Sequence, residues 1–387
     1  MPKSSARKIC FPIMSRVHYA RQRRLLDLLK KDRKLDLQLV IGGSVLSERY
    51  GERFASAIQN EGFEVRDALF NLIEGGNHVA MAKTASLAAL EFTNVIHKLN
   101  PDIVLIRGDR FEQLAIAMVA AYLNKTIAHI EGGDITGTID ESVRHAITKL
   151  SHIHFVTNGD AKRRLIKMGE NPKYIFNVGS PDVEFASLVS KKNIGEAINS
   201  AGVGEPINVK EPYIMVMFHP VTTEAGNRQH AEELLKIVDS LNIPTVWFWP
   251  NHDAGTNEIA KAIRVYRERG FLKTDQFKFV TDLLPEDFIG LLRGAKVLIG
   301  NSSAGIKESS FLGVPVVNIG TRQAGRLRSK NVLDVGHGSN AILKAIKNQI
   351  SHGPYPASYI YYKPKSSERI TSILASAPLY IQKKFYG

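Results

Sequence analysis

Apolar, β-rich runs alternate with helical-period segments along nearly the whole chain, and the alternation starts twice. The first series is Ile9 to Met14, Leu37 to Ile41, Ile103 to Ile106, Thr126 to Ile130, Phe155 to Thr157 and Ile175 to Val178. The second is Tyr213 to Phe218, Thr245 to Phe248, Phe277 to Val280, Val297 to Ile299 and Val316 to Ile319. Strands covered on both faces read as continuous apolar runs, and the helices between them make the crossovers of a parallel sheet. The pattern predicts an α/β chain of two Rossmann-like, doubly wound domains in tandem. A polar, small-residue stretch from Ser187 through Lys191-Lys-Asn193 to Pro212 separates the series. The expected division is therefore 1–186 and 187–364, with 365–387 crossing back onto the first domain as a closing helix.

The composition, 44% hydrophobic and 23% charged, is that of a globular chain. No apolar run approaches the roughly 18 residues of a membrane span, and the N-terminus reads as a first strand rather than a signal segment. A cytoplasmic protein with no membrane partner is expected. The single cysteine, Cys10, lies inside the first predicted strand and is expected to be a buried small hydrophobe. The formal charge is +13, and residues 1–34 hold eleven Lys or Arg against two Asp. Such a surface favours anionic partners, but no zinc-finger spacing or aromatic-interleaved basic run accompanies it. A phosphorylated small substrate is expected rather than nucleic acid.

Three acids sit in loops just past apolar runs: Asp109 after Ile103-Val-Leu-Ile-Arg-Gly108, Glu131 after Thr126-Ile-Ala-His-Ile130, and Asp140 within Thr136-Gly-Thr-Ile-Asp140. Open α/β sheets bind ligands beyond the carboxyl ends of their strands, so these carboxylates face a crevice. Asp109 and Asp140 can also cap the helices that follow them. Glu131 is a poor N-cap, and the two glycines after it let a ligand approach the backbone.

The second half offers phosphate chemistry. Val297-Leu-Ile-Gly-Asn-Ser-Ser-Ala-Gly-Ile-Lys-Glu308 reads as a strand, a small-residue turn and a helix from about Gly305. Ser302 and Ser303 can donate to a diphosphate at the positive helix end, and Glu308, one turn in, can accept the two hydroxyls of a ribose. His219, Asn251, Asp253 and Arg322 also fall at predicted strand ends. Together they point to a nucleotide site.

The strings Gly108-Asp-Arg-Phe-Glu112, His129-Ile-Glu-Gly-Gly133, Gly137-Thr-Ile-Asp-Glu-Ser-Val-Arg-His145, Phe218-His-Pro-Val-Thr222, Pro250-Asn-His-Asp-Ala-Gly255, Asn301-Ser-Ser303 and Gly320-Thr-Arg-Gln323 resemble the hydrolysing UDP-N-acetylglucosamine 2-epimerases. The likeness runs in order from about residue 9 to residue 335. It implies the GT-B architecture, two Rossmann-like domains facing across a cleft, and a homodimer or homotetramer. It also implies a reaction with no cofactor and no metal. UDP is eliminated from UDP-N-acetylglucosamine to leave 2-acetamidoglucal, which is hydrated to N-acetylmannosamine for sialic-type acid synthesis. On this likeness Asp109, Glu131 and Asp140 are the catalytic acids, Arg16 and Arg110 hold diphosphate or sugar, and His145 belongs to an Arg-His pair beside the site. His152 and His154 are spaced like metal ligands but have no third partner, so no metal is expected.

One departure stands out. After its first strand the family usually has an acid two residues beyond an arginine, and here the string is Ser15-Arg-Val-His-Tyr19, with His18 at that position. The loop after the next strand, Gly42-Gly-Ser-Val-Leu46, also departs. Both lie on the sugar side, so UDP-2,4-diacetamido-2,4,6-trideoxyglucose, of the legionaminic-type pathway, is the alternative substrate. A GT-B glycosyltransferase, a non-hydrolysing 2-epimerase and a nucleotide-sugar-binding module without turnover are the other readings.

Overall fold

Seven strands make the first sheet: β1 (Arg7–Ile13), β2 (Leu35–Gly42), β3 (Val65–Leu69), β4 (Ile103–Arg107), β5 (Thr126–Ile130), β6 (Ile153–Val156) and β7 (Ile175–Asn177). The computed structural model that shows them describes residues 6–47, 51–190, 194–251, 253–270 and 276–387. The strand order is 3-2-1-4-5-6-7 and every pairing is parallel. A second seven-stranded sheet follows: β8 (Gly202–Gly204), β9 (Ile214–Met217), β10 (Thr245–Phe248), β11 (Phe277–Val280), β12 (Leu298–Gly300), β13 (Val316–Ile319) and β14 (Val332–Val335). Its order is 14-13-12-9-10-11-8, parallel except where β8 runs antiparallel to β11. This is the GT-B arrangement, and each sheet reverses its strand order once, between β1 and β4 and between β9 and β12. Such reversal points open a crevice at the strands' carboxyl ends.

The central strands match the apolar runs because both of their faces are covered. All five residues of β4 and of β5 are buried. Three strands carry no such run. β3 is Val-Arg-Asp-Ala-Leu and β14 is Val-Leu-Asp-Val, and both are edge strands with half-exposed faces. β8 is a three-residue Gly-Val-Gly edge inside the stretch expected to be a polar connector, which also holds the helix Gly195–Ser200. Edge strands keep solvent on one side and lose the continuous apolar signal. Lys191 to Asn193, cited for that connector, lie outside the described residues.

Separate apolar clusters lie on the two faces of each sheet. Cys10 is fully buried in one of them, and burial pushes its thiol up. The helix Ser366–Ser376 puts Ile370 and Leu374 into the cluster that holds Leu25, Leu26 and Leu29 of the helix Arg23–Lys31. Beyond it Tyr380 donates to His152 O at 2.9 Å, His152 Nε2 meets Ile381 O at 2.9 Å, and Lys383 pairs with Glu170 at 2.7 Å. His152 and His154 thus spend Nε2 on Ile381 and Glu170. Among the described residues no helix is long and apolar enough to cross a membrane.

The carboxyl ends of the two sheets meet. Gly137 N donates to Arg322 O at 3.3 Å, Gly255 N to Gly76 O at 2.9 Å, and Arg23 pairs with Glu286 at 2.7 Å. A Cβ at Gly137 would come within 2.0 Å of Thr321 O, so the backbones touch there through the missing side chain.

Shortening Ile370 to Ala should cost about 2–5 kcal/mol, the range for emptying a buried aliphatic site, and lower the urea midpoint. An unchanged midpoint would show that the closing helix adds no burial to the first lobe.

Candidate active site

Asp109 follows β4 through Gly108, whose φ of +77° turns the chain sharply out of the sheet. Glu131 follows β5 and itself adopts a φ of +74°, a conformation L side chains rarely take, secured by Glu131 N donating to Phe155 O at 2.9 Å. Backbone held in the left-handed region by a non-glycine residue concentrates at sites where side-chain direction matters. Asp140 is in the first turn of the helix Ile139–Leu150, capped by Thr138 rather than capping it. The capping role considered for Asp140 therefore falls to its neighbour.

Each acid meets a different field. Asp109 is paired with buried Arg144, and this guanidinium together with Arg326 holds its carboxyl well below the usual range despite the opposing effect of burial. Glu131 is clamped from both sides, Oε1 to Lys307 Nζ at 2.7 Å and Oε2 to Arg107 at 3.4 Å. Burial opposes ionisation here too, but Arg107 and Lys307 outweigh it and keep the group charged. Asp140 goes the other way, pushed up to about 6 by burial and by Asp109 and Asp253, against the pull of Arg322. Three carboxylates in one region thus split into two fixed anions and one group poised near neutral pH.

His18, the departure from the family pattern, is buried beside them. Its Nδ1 accepts from Met14 N at 3.3 Å and faces Gln113 Nε2 at 3.2 Å. Two donors converging on Nδ1 require the neutral tautomer with the proton on Nε2. Burial and the cations Arg107 and Arg110 keep it neutral. The loop Gly43–Leu46 packs alongside, with Ser44 Oγ donating to Met14 O at 3.3 Å.

Across the cleft, Asn301 after β12 and His219 after β9 exchange two hydrogen bonds of 2.8 Å. Asn251 N donates to His219 Nδ1 at 3.3 Å, while burial, Arg322 and Arg21 hold that imidazole neutral. Arg322 donates to Asn301 O at 3.2 Å and lies 3.9 Å from Asp253, which is 3.5 Å from Arg110 of the first lobe. Asp140, Asp253 and Arg322 line one cavity with Phe111, Thr138 and Thr222. His252, within the same string, lies outside the described residues.

The segment after β12 differs from the expected single helix. It forms two short helices, Ser303–Ile306 and Glu308–Leu312, interrupted at Lys307, where φ is −94° and ψ −73°. Ser302 is the N-cap, accepting from Ala304 N at 3.4 Å. The interruption lets adjacent residues face separate partners, Lys307 toward Glu131 and Glu308 toward Arg21 at 3.1 Å. Apart from this ion pair, which Oε1 makes, neither carboxylate oxygen of Glu308 has a hydrogen-bond partner although both are buried. Buried acceptors left without donors are costly and mark sites completed by a ligand or water.

Two expected residues stand apart. Arg16 reaches across to Asp282 and to Thr281 O, and His145 has Glu141 at 3.9 Å, with Arg144, Glu141, Arg164 and Asp134 as its main charged neighbours. Successive helical residues are turned by about 100°, so Arg144, not His145, faces Asp109. Arg107, Asp182, Lys307 and Arg326 were not singled out from sequence, and Arg144 entered only as the arginine of the Arg-His pair. Arg107 ends an otherwise apolar buried strand, a signal that was present. Asp182, Lys307 and Arg326 join the site only through the fold.

Asp140 should titrate near pH 6 by carboxyl 13C NMR, its resonance assigned through Asp140→Asn. In Asp109→Asn, which removes a like charge, the midpoint should fall. A midpoint below pH 4 in the unmodified protein would refute the split.

The description "UDP-N-acetylglucosamine 2-epimerase" names the family whose model matches residues 27–375. A UDP-N-acetylglucosamine 2-epimerase of Neisseria meningitidis serogroup B is 33% identical, covering 89% of this chain and 87% of that one. A hydrolysing UDP-N,N'-diacetylbacillosamine 2-epimerase of Legionella pneumophila is 32% identical over 97% of both. A crystal structure of UDP-GlcNAc 2-epimerase from Neisseria meningitidis bound to UDP-GlcNAc superposes with a TM-score of 0.76 at 16% identity, covering 95% of this chain and 99% of that one, which shows a shared fold. Length, order of motifs and fold agree, and the chain belongs to the UDP-N-acetylglucosamine 2-epimerase family.

Proposed function

We propose that the protein is a hydrolysing 2-epimerase of a UDP-2-acetamido sugar, with UDP-N-acetylglucosamine as substrate and N-acetylmannosamine and UDP as products. The observation that carries this reading is the division of Asp109, Glu131 and Asp140 into two held anions and one carboxyl near pH 6. In the elimination a base takes the proton from C2, the C1–O bond breaks with its electron pair leaving on UDP, and a C1–C2 double bond remains. Hydration returns a proton to C2 and adds water oxygen at C1, with loss of a proton to a base. A group poised near the working pH suits proton transfer, which makes Asp140 the proton carrier. Asp109 and Glu131, ionised in a dry site, stabilise the oxocarbenium-like charge of both steps.

The second lobe would hold the nucleotide. The hydroxyls of Ser302 and Ser303 suit the diphosphate, and Arg322 and Arg110 supply cations. The carboxylate of Glu308, with no hydrogen bond beyond its ion pair to Arg21, has two acceptor oxygens that match the two hydroxyls of a ribose. His219, Asn251 and Asp253 shape the wall between nucleotide and acids. Assembly as a homodimer or homotetramer in the cytoplasm, and service to nonulosonic acid synthesis, belong to the same proposal.

His18 favours a second substrate. A neutral Nε2–H donor where the family usually has an acid suits an acceptor such as an amide carbonyl, which UDP-2,4-diacetamido-2,4,6-trideoxyglucose carries at C4. Incubation with each UDP-sugar, followed by NMR, decides between them: free UDP plus the epimerised free sugar from one of them identifies the substrate. UDP-N-acetylmannosamine as product would replace this reading with the non-hydrolysing reaction, and no product from either would remove it.

Asp109→Asn and Glu131→Gln should abolish UDP release yet keep UDP affinity, while Arg322→Ala should weaken UDP by about 1–3 kcal/mol, the scale of a lost charged hydrogen bond. Calorimetric titration that found UDP affinity lost in the acid variants would overturn the assigned roles.

A further inference from the structure

Glu131 has charged and polar neighbours from both lobes. From its own side come Arg107 at the end of β4, Asp109, Asp182 and the neutral ring of His18; from the other come Lys307 and Arg326, with Tyr361 nearby. Arg107 is shared, since it also binds Asp182 at 2.6 Å, closer than its 3.4 Å to Glu131. Lys307 is not shared in that way. Its ammonium lies 2.7 Å from Glu131 and 4.0 Å from Asp134, and its side chain is 2% exposed. A lysine this buried with one short carboxylate contact is placed for that contact, because an unpaired ammonium would be too costly to keep there.

The two residues come from opposite lobes. Lys307 sits at the interruption between two short helices beside the phosphate-loop serines, and Glu131 sits in the strained turn after β5. We propose that Lys307 is a positioning residue that reaches across the cleft to hold the charge and orientation of Glu131, so that the acid set is complete only when the lobes are closed. Apart from closure, Glu131 keeps only the longer, shared contact to Arg107. Its carboxylate would then be free to swing in water, and in a cleft closed without Lys307 it would be desolvated and take up a proton. Closure therefore fixes in place, and keeps charged, the anion that the transition state needs at the moment water is excluded. Glu308, the next residue, faces the nucleotide side, so seating the nucleotide and arming the acid act through one peptide.

This inference rests on the catalytic reading of Glu131. The test measures UDP release across pH for the unmodified protein, Lys307→Met and Lys307→Arg, together with UDP affinity for each. In Lys307→Met, kcat should fall at least about tenfold, while KM and UDP affinity change by less than about threefold. The acid limb of kcat/KM should gain a second ionisation and move to higher pH, because Glu131 must lose a proton it no longer loses unaided. Lys307→Arg, which keeps the charge, should restore the single ionisation. Retained UDP affinity shows that each variant is folded; if Lys307→Met does not fold, Lys307→Gln takes its place.

An active protein whose Lys307→Met variant kept the acid limb of the unmodified enzyme would overturn the inference while leaving the function standing. Loss of rate with an unshifted limb in both variants would reduce Lys307 to a packing residue and also overturn it. An unmodified protein that turned over no UDP-sugar would remove the function and this inference together.

Discussion

Carboxylates can be kept charged in a dry cleft only if cations are brought to them, and the arrangement of this protein follows from that requirement. Asp109 and Glu131 are withdrawn from water by the meeting of two sheets, and desolvation alone would neutralise them. Arg107, Arg144, Lys307 and Arg326 oppose it. Two of the four come from the second lobe, so the lobes are joined by ion pairs that make sense only at closure. Such pairs add little net stability, because their desolvation cost offsets their attraction. What they confer is a defined charge state at defined atoms.

The same economy governs the histidines. His18 and His219 each accept a backbone N–H at Nδ1 and are held neutral beside arginines, so both present Nε2–H and neither adds a positive charge. His129 follows suit, its Nε2 against Gly108 O at 2.9 Å and its imidazole pushed down to about 4 by burial. Positive charge in the cleft is thus left to Arg and Lys, which do not titrate in the working range, while the Asp140 carboxyl is pushed up to about 6.

Much of this was legible in the chain. Runs such as Ile103-Val-Leu-Ile106 announced buried parallel strands, and the acids just past them announced a cleft at the strand ends. β3, β8 and β14 were not legible, since edge strands need no apolar run. The helix break at Lys307 was hidden because its cause is tertiary: neighbouring residues answer to two separate partners in the other lobe, Glu131 and Arg21. His145 drew notice through the family resemblance, yet the adjacent Arg144 is the residue that meets Asp109, and only the phase of the helix against the sheet could say so.

By itself the sequence determined the class of fold, the two sheets and the carboxylates and loop serines at their strand ends, because periodicity and local turn chemistry are short-range properties written in neighbouring residues. The tertiary structure alone decided which acids stay charged and which one titrates, and which lysine and arginines hold them. Those outcomes depend on burial and on distances between residues far apart in the chain, such as Glu131 and Lys307, and such distances exist only once the two lobes have met.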